Sequence, residues 1–145
     1  MNTLHQIAYC SLNRIPADEL PRELHAILDA SRRNNAPLGV TGALLYNQGS
    51  FAQVLEGPLP VVERIFEAIQ CDPRHSDVMV IASGPIEKRS FPLWSMAFAG
   101  HERLAEIPEV AVAFEDIFGG AGRGAQDLLR LLQELVIEEG EWANA

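Results

Sequence analysis

Residues 31–57 decide the fold, and they read SRRNNAPLGVTGALLYNQGSFAQVLEG. The run opens as the polar end of a helix, which a proline and a glycine then break. Two strand-like stretches follow, residues 40–46 and residues 50–56. The three residues between them, Asn47-Gln48-Gly49, have turn chemistry, so the stretch predicts a β-hairpin.

The second strand of this hairpin carries an amide toward the protein interior. Phe51, Gln53 and Leu55 share one face because side chains alternate along a strand with a period of two. Phe51 and Leu55 favour a core position, so Gln53 is carried inward with them. A buried amide must be hydrogen-bonded, and it can both donate and accept. The strand therefore predicts a polar partner opposite Gln53.

The chain on either side of the hairpin predicts two helices and three more strands. Alternation in the first strand places Tyr9 on one face and Cys10 on the other. The predicted elements are a strand over residues 4–11, a helix capped by Asp18 with an apolar stripe that reaches Ser31, a helix that starts at Pro58 and ends near residues 72–75, a strand over residues 78–83 interrupted by Gly84-Pro85, and a strand over residues 93–99.

This order, β-α-β-β-α-β-β, indicates an α/β (α+β) fold of the ferredoxin-like kind with one added strand. We expect two helices on one face of the sheet and C-terminal helices on the other. The first and third strands are expected to lie centrally, side by side and parallel, with Tyr9 and Gln53 facing the helices. Residues 1–99 form the predicted domain and residues 100–145 a helical extension. Its apolar residues 128–137 suggest a subunit or partner contact.

Composition narrows the class of protein. The 145 residues suit one domain with a hydrophobic core, and the net charge of -9 disfavours nucleic acid and anionic membrane surfaces as partners. Two distant cysteines without a C-x-x-C pair argue against a zinc site or redox dithiol, so we expect no bound metal. The first residues do not resemble a signal peptide, and the apolar runs are short, so we expect a cytoplasmic protein.

Several polar or redox-active side chains are predicted to face inward together. The residues alone leave two interpretations open. Each is a core residue whose hydrogen bonds are satisfied internally, or together they bind a polar heterocycle that offers carbonyls and ring nitrogens to the amides. The set comprises Tyr9, Ser31, Asn34, Asn35, Gln53, Trp94 and Met96.

From residue 4 to about residue 99 the sequence resembles BLUF domains, the blue-light sensors that use flavin. The resemblance rests on a set of short motifs that together are highly specific. It implies FAD between the two helices, with FMN or riboflavin as alternatives. The motifs are YCS at 9–11, SRRNN at 31–35, GVTG at 39–42, FAQVLEG at 51–57, DPRH at 72–75 and WSM at 94–96.

The resemblance also implies a role for each matching residue. Tyr9 would donate an electron and a proton to the excited flavin, and Gln53 would sit between Tyr9 and the N5/O4 edge of the flavin. Rotation or tautomerisation of Gln53 would strengthen a hydrogen bond to the flavin and shift its absorption to the red. The other implied residues are Ile27 and Ser31 on the first helix, Asn34 and Asn35 at the flavin carbonyls, Asp72, Arg74 and His75 on the second wall, and Trp94 and Met96 as the last-strand pair that changes during signalling.

The implied function is that of a short, stand-alone photoreceptor rather than an enzyme. About 45 residues beyond the domain are too few for a cyclase or phosphodiesterase, since domains usually need about 100 residues. We therefore expect signalling by contact with a separate effector protein, for example a cyclic-dinucleotide enzyme or regulator, and a homodimer or higher homo-oligomer. The alternatives are a small flavin-binding reductase and a ligand-free ferredoxin-like interaction module.

Overall fold

The computed structural model describes residues 3–47, 49–91, 97–99, 112–115, 126–132 and 134. The predicted order of strands and helices is confirmed. The elements are β1 (Leu4–Asn13), α1 (Leu20–Asn35), a 3-10 turn (Ala36–Leu38), β2 (Thr41–Asn47), β3 (Ser50–Pro58), α2 (Leu59–Gln70), β4 (His75–Ile86) and β5 (Ala97–Ala99). Residues 112–115 and 126–132 are also helical.

The five strands form one sheet in the order β4-β1-β3-β2-β5. β1 and β3 are central neighbours as expected, but the predicted parallel direction is wrong because they pair antiparallel. The topology explains the correction. Helix α1 returns the chain so that β2 runs in the direction of β1, and the hairpin then reverses it into β3. β5 pairs parallel with β2 at the far edge.

The sheet separates two hydrophobic cores. On one face, Ile7 and Leu55 pack with residues of α1 and α2. On the other face, Ala8 and Cys10 pack with residues of the C-terminal helical segments. The predicted arrangement, with two helices on one face and the C-terminal helices on the other, is therefore confirmed.

The C-terminal leucines pack in the core on the sheet face of Ala8 and Cys10, which we call the second core. Leu128 and Leu132 are fully buried, Leu131 is nearly so, and Leu129 packs against the same cluster. The width of this apolar stripe predicts a subunit or partner contact. The described leucines pack against the sheet, residues 135–137 lie outside the described residues, and the contact stays a prediction.

Two local predictions need correction. Helix α1 begins after Glu19, and no side chain caps it, so the predicted Asp18 cap is wrong. Main-chain bonds from Glu19 and Leu20 back to Pro16 and Ala17 form the preceding turn instead. Strand β4 also continues through Gly84-Pro85 to Ile86. Proline is tolerated there because β4 lies at the sheet edge, where one side needs no ladder hydrogen bond.

None of the helices in the described part of the chain is both long and apolar enough to span a membrane.

Leu132→Ala should lower the free energy of unfolding by about 2–5 kcal/mol, because it removes a fully buried side chain from the second core. Leu38→Ala is the matched control. Leu38 is 42% exposed, so its truncation should cost about 0.5 kcal/mol or less. Urea unfolding followed by circular dichroism measures both. Equal losses in the two variants would contradict the packing of the C-terminal segment on the sheet.

Candidate functional site

A cavity of about 310 Å³ lies between the two helices and the sheet face that carries Tyr9 and Gln53. Every predicted site residue that the structure describes lines it. Trp94 and Met96 fall outside the described residues. The cavity is lined by Tyr9, Ile27, Ala30, Ser31, Asn34, Asn35, Leu44, Phe51, Gln53, Ile65, Ala68, Ile69, Asp72, Arg74 and His75.

The central polar pair is Tyr9 and Gln53, which face each other across β1 and β3. Both are buried, and the Tyr9 hydroxyl donates to Oε1 of Gln53 at 2.5 Å. Burial, with a smaller contribution from the negative charge of Asp72, raises the pKa of Tyr9 above its usual value. The phenol is therefore neutral and carries its proton. Because Oε1 of Gln53 accepts, its Nε2 is the atom that can donate to another group.

Two aromatic rings hold the tyrosine in place. The ring of Tyr9 lies 5.6 Å from that of Phe66 on α2, centroid to centroid, and the two planes are tilted by 46°. The His75 ring lies 6.0 Å away, edge to face. Such contacts fix a side chain through packing geometry rather than charge. The hydroxyl of Tyr9 therefore points at Gln53 from a constrained ring.

His75 ties the end of α2 to β1. Its Nε2 lies 2.6 Å from the carbonyl oxygen of Ile69, and its Nδ1 lies 2.7 Å from Oγ of Ser11. A carbonyl can only accept, so Nε2 carries the proton, and in the neutral ring Nδ1 accepts from the Ser11 hydroxyl. These two bonds close the cavity at the start of β4.

An ion-pair cluster forms the neighbouring wall. Asp72 receives hydrogen bonds from the main-chain N–H of Arg74 at 2.9 Å and from its guanidinium, the shortest at 2.6 Å. Arg74 also reaches Glu23 of α1 at 3.3 Å. The hydrogen bonds from Arg74 lower the pKa of Asp72, and those to Asp72 raise the pKa of Arg74. A cation and a carboxylate are thus held at the cavity edge, bridging α1 and the loop after α2.

The end of α1 supplies the hydroxyl and amide groups. Ser31, Asn34 and Asn35 follow the apolar stripe of the helix, and Asn35 is buried at its last residue. The carbonyl of Asn35 accepts from the main-chain N–H of Val40, and Gly39 adopts a left-handed conformation with φ 74°. Glycine suits this conformation since it lacks a Cβ. The helix therefore ends at the point where the side chains of Asn34 and Asn35 line the cavity.

Cys10 lies away from the cavity. It is fully buried in the second core, and burial raises the pKa of its thiol to about 12. This placement matches the expectation that alternation directs Cys10 to the opposite face from Tyr9. Among the described residues no cluster of three histidine, cysteine, aspartate or glutamate side chains could hold a metal ion.

Sequence reasoning missed two contributors, Ser11 and Glu23. Ser11 shares the face of Tyr9 by alternation, which was a usable signal for its place beside the cavity. Glu23 precedes the cavity-lining Ile27 by four residues, which is one helical turn. The partner of Ser11 is His75, the first residue of β4, and the partner of Glu23 is Arg74 in the preceding loop, whose path has no periodic pattern.

Asp72→Asn should make the free energy of unfolding less dependent on pH in the acidic range. The lowered pKa of Asp72 means that its carboxylate stabilises the fold above the unfolded pKa of about 3.9 and loses this effect as pH falls through the folded value. We expect the variant to be less stable than the parent protein at pH 7, with the difference shrinking in more acidic solution. Urea unfolding across this range tests it. A difference that stays constant with pH would contradict the ion pair.

Comparison with known proteins gives a consistent picture. A family model described as BLUF, sensors of blue-light using FAD, matches residues 4–97. The solved structure of BlrB, a BLUF protein in its dark state, aligns with a TM-score of 0.76 and 33% identity, covering 92% of this chain and 98% of that one. The photo-activated state of BlsA aligns with a TM-score of 0.73 and 30% identity over 92% and 95% of the two chains.

A curated relative is much longer than this chain. The photoactivated adenylate cyclase subunit beta of Euglena longa is 39% identical over 108 residues, which is 74% of this chain. The match spans only 12% of the length of that relative. The similarity thus concerns one segment of the longer protein.

Proposed function

The chain belongs to the BLUF family, the sensors of blue light using FAD, and on that basis we propose that Tyr9 and Gln53 form its light-driven hydrogen-bond switch. The observation that carries the proposal is the buried hydrogen bond from the Tyr9 hydroxyl to Gln53 in the cavity wall. A neutral phenol and an amide in direct contact are the groups that electron and proton transfer with amide rearrangement would require.

The cavity residues fit a flavin. A flavin ring is flat and largely apolar, with carbonyls and nitrogens along its edge, and the cavity combines apolar walls with amide and hydroxyl groups. Residues from both helices and from the sheet would hold FAD. They are Ile27, Ser31, Asn34 and Asn35 on α1, Gln53 on β3, and Asp72, Arg74 and His75 at and after the end of α2.

In this proposal the protein supplies a donor and a switch. Bound FAD, once excited by blue light, supplies a strong oxidant. Tyr9 can release an electron and then the proton that its raised pKa keeps on the phenol. Gln53 can exchange its donating and accepting arms by rotation or tautomerisation, since an amide offers both. The return of the electron and proton to Tyr9 leaves the rearranged amide as the lasting change, with no net redox turnover.

We further propose that the output passes to a separate effector protein. The similarity to part of a photoactivated adenylate cyclase subunit supports pairing of such a domain with a catalytic unit. In this proposal residues 1–99 bind the flavin, residues 100–145 form the extension, and the chain itself catalyses no reaction. It acts in the cytoplasm as a homodimer or higher oligomer, and the last strand with Trp94 and Met96 carries the change.

The purified protein should be yellow with bound FAD and should show a small red shift of its visible band under blue light, reversed in darkness. The physical reason is a stronger hydrogen bond to the flavin after Gln53 rearranges. Absorption spectra before illumination, during it and after a dark interval measure the effect. A colourless protein that does not take up added FAD would refute FAD binding, and bleaching of the band would indicate thiol-adduct chemistry instead.

Gln53→Ala and Tyr9→Phe should retain FAD and lose the stable red-shifted state. The first removes the switching amide and the second the hydroxyl, while the remaining cavity contacts persist. Loss of one hydrogen bond should weaken FAD binding by about tenfold or less. Tyr46→Phe is the matched control, since Tyr46 bonds the hairpin turn and does not line the cavity. A normal red shift in Gln53→Ala would place the switch elsewhere.

A further inference from the structure

Glu56 is the only acidic side chain that is buried among the described residues, and it is 0% exposed. Its Oε1 accepts from the main-chain N–H of Phe91 at 2.9 Å. Its Oε2 accepts from the main-chain N–H of Ser90 at 3.1 Å and from Nε2 of Gln6 at 2.9 Å. Two of the three donors belong to the segment that follows β4.

Arg89 fastens the same segment from its other side. Its guanidinium donates to the main-chain oxygens of Glu56 and Gly39 and to Oγ1 of Thr41, at 2.7–2.9 Å. The next aromatic side chain, Phe91, is buried in the second core. We call residues 89–91 the loop clasp: Arg89 bonds them to Gly39, Thr41 and the main chain of Glu56, and the Glu56 carboxylate bonds the other two.

The loop clasp joins the strand of the switch to the strand of the output. Gln53 and Glu56 both lie on β3 but on opposite faces, Gln53 toward the cavity and Glu56 toward the second core. The next strand in the sequence after Phe91 is β5, which pairs with β2 beside β3. In register, Gln53 is opposite Leu44, and Leu44 is opposite Phe98 of β5.

We propose that Glu56 is a positioning residue for signal output, through which a change at Gln53 in β3 reaches residues 89–91 and β5. This inference rests on the proposed function, since it takes the rearrangement of Gln53 as its input. Glu56 touches neither the cavity nor the Tyr9 hydroxyl, so it acts on the transmission of the change and not on its formation.

The contact requires a carboxylate at position 56, and an amide of the same size cannot replace it. Main-chain N–H groups can only donate, so the amides of Ser90 and Phe91 each need an acceptor. A carboxylate offers two oxygens, whereas the amide of Glu56→Gln offers one oxygen and one NH₂ group. In that variant a donor faces a donor at one of the two positions. The size of the side chain is kept while one attachment of the loop clasp is lost.

The experiment compares hydrogen–deuterium exchange of the FAD-loaded full chain in darkness and under blue light, over peptides that span residues 88–99. Absorption spectra of the same samples report the red shift. Glu56→Gln should keep the red shift and lose at least half of the light-minus-dark exchange difference in these peptides. Gln6→Met is the matched control, because it removes one hydrogen bond from the same carboxylate without touching the loop, and it should behave as the parent protein does.

The outcomes separate the inference from the function on which it rests. A parent protein without a red shift refutes the proposed function and removes the input to Glu56. A red shift with an unchanged exchange difference in Glu56→Gln overturns the role of Glu56 alone, as does an equal loss in Gln6→Met. If Glu56→Gln does not fold, Arg89→Gln decides, because this substitution removes the guanidinium hydrogen bonds to Thr41, Glu56 and Gly39 and so loosens the loop clasp. A parent-like exchange difference in that variant also overturns the inference.

Discussion

The antiparallel register of β1 and β3 is the constraint on which the rest of the structure depends. It sets Tyr9 opposite Gln53 on the cavity side. The same register sets Cys10 opposite Ala52 on the other side, where both pack into the second core. A slip of one residue would exchange the two faces, placing the polar pair in an apolar core and the apolar pair in the cavity. The hydrophobic packing beneath the sheet therefore locks the alignment of the polar pair above it.

Burial of a polar group is unfavourable unless the group is hydrogen-bonded, and the two buried polar side chains of β3 both have partners within the protein. Gln53 accepts from Tyr9, and Glu56 accepts from three donors. The second core has a different composition, because fully buried leucines of the C-terminal segment cover small apolar residues of the sheet there.

The parts of the fold that follow from strict periodicity could be predicted from the sequence. Alternation predicted both faces of the central strands, and the helical stripe predicted that Ser31 and Asn35 line the same space as Gln53. The predicted parallel direction of β1 and β3 was wrong. The residue pattern of a strand does not show which way the strand runs; that depends on how many times the chain turns back between the two strands. The loop clasp could not be predicted because Glu56 binds main-chain N–H groups, which every residue except proline carries and which leave no mark in the sequence.

The burial of the pair also explains why an amide can serve as a two-state element in the proposed switch. In water, an inverted amide would exchange partners with solvent at little cost. Inside the protein, inversion sets a donor against a donor or an acceptor against an acceptor, and each unsatisfied group costs about 1–3 kcal/mol. The Tyr9 hydroxyl can meet such a change, because it can turn from donor to acceptor. Main-chain groups cannot make that exchange, because an N–H only donates and a carbonyl oxygen only accepts. The hydroxyl partner is therefore what allows both orientations of the amide to be satisfied in the proposed switch.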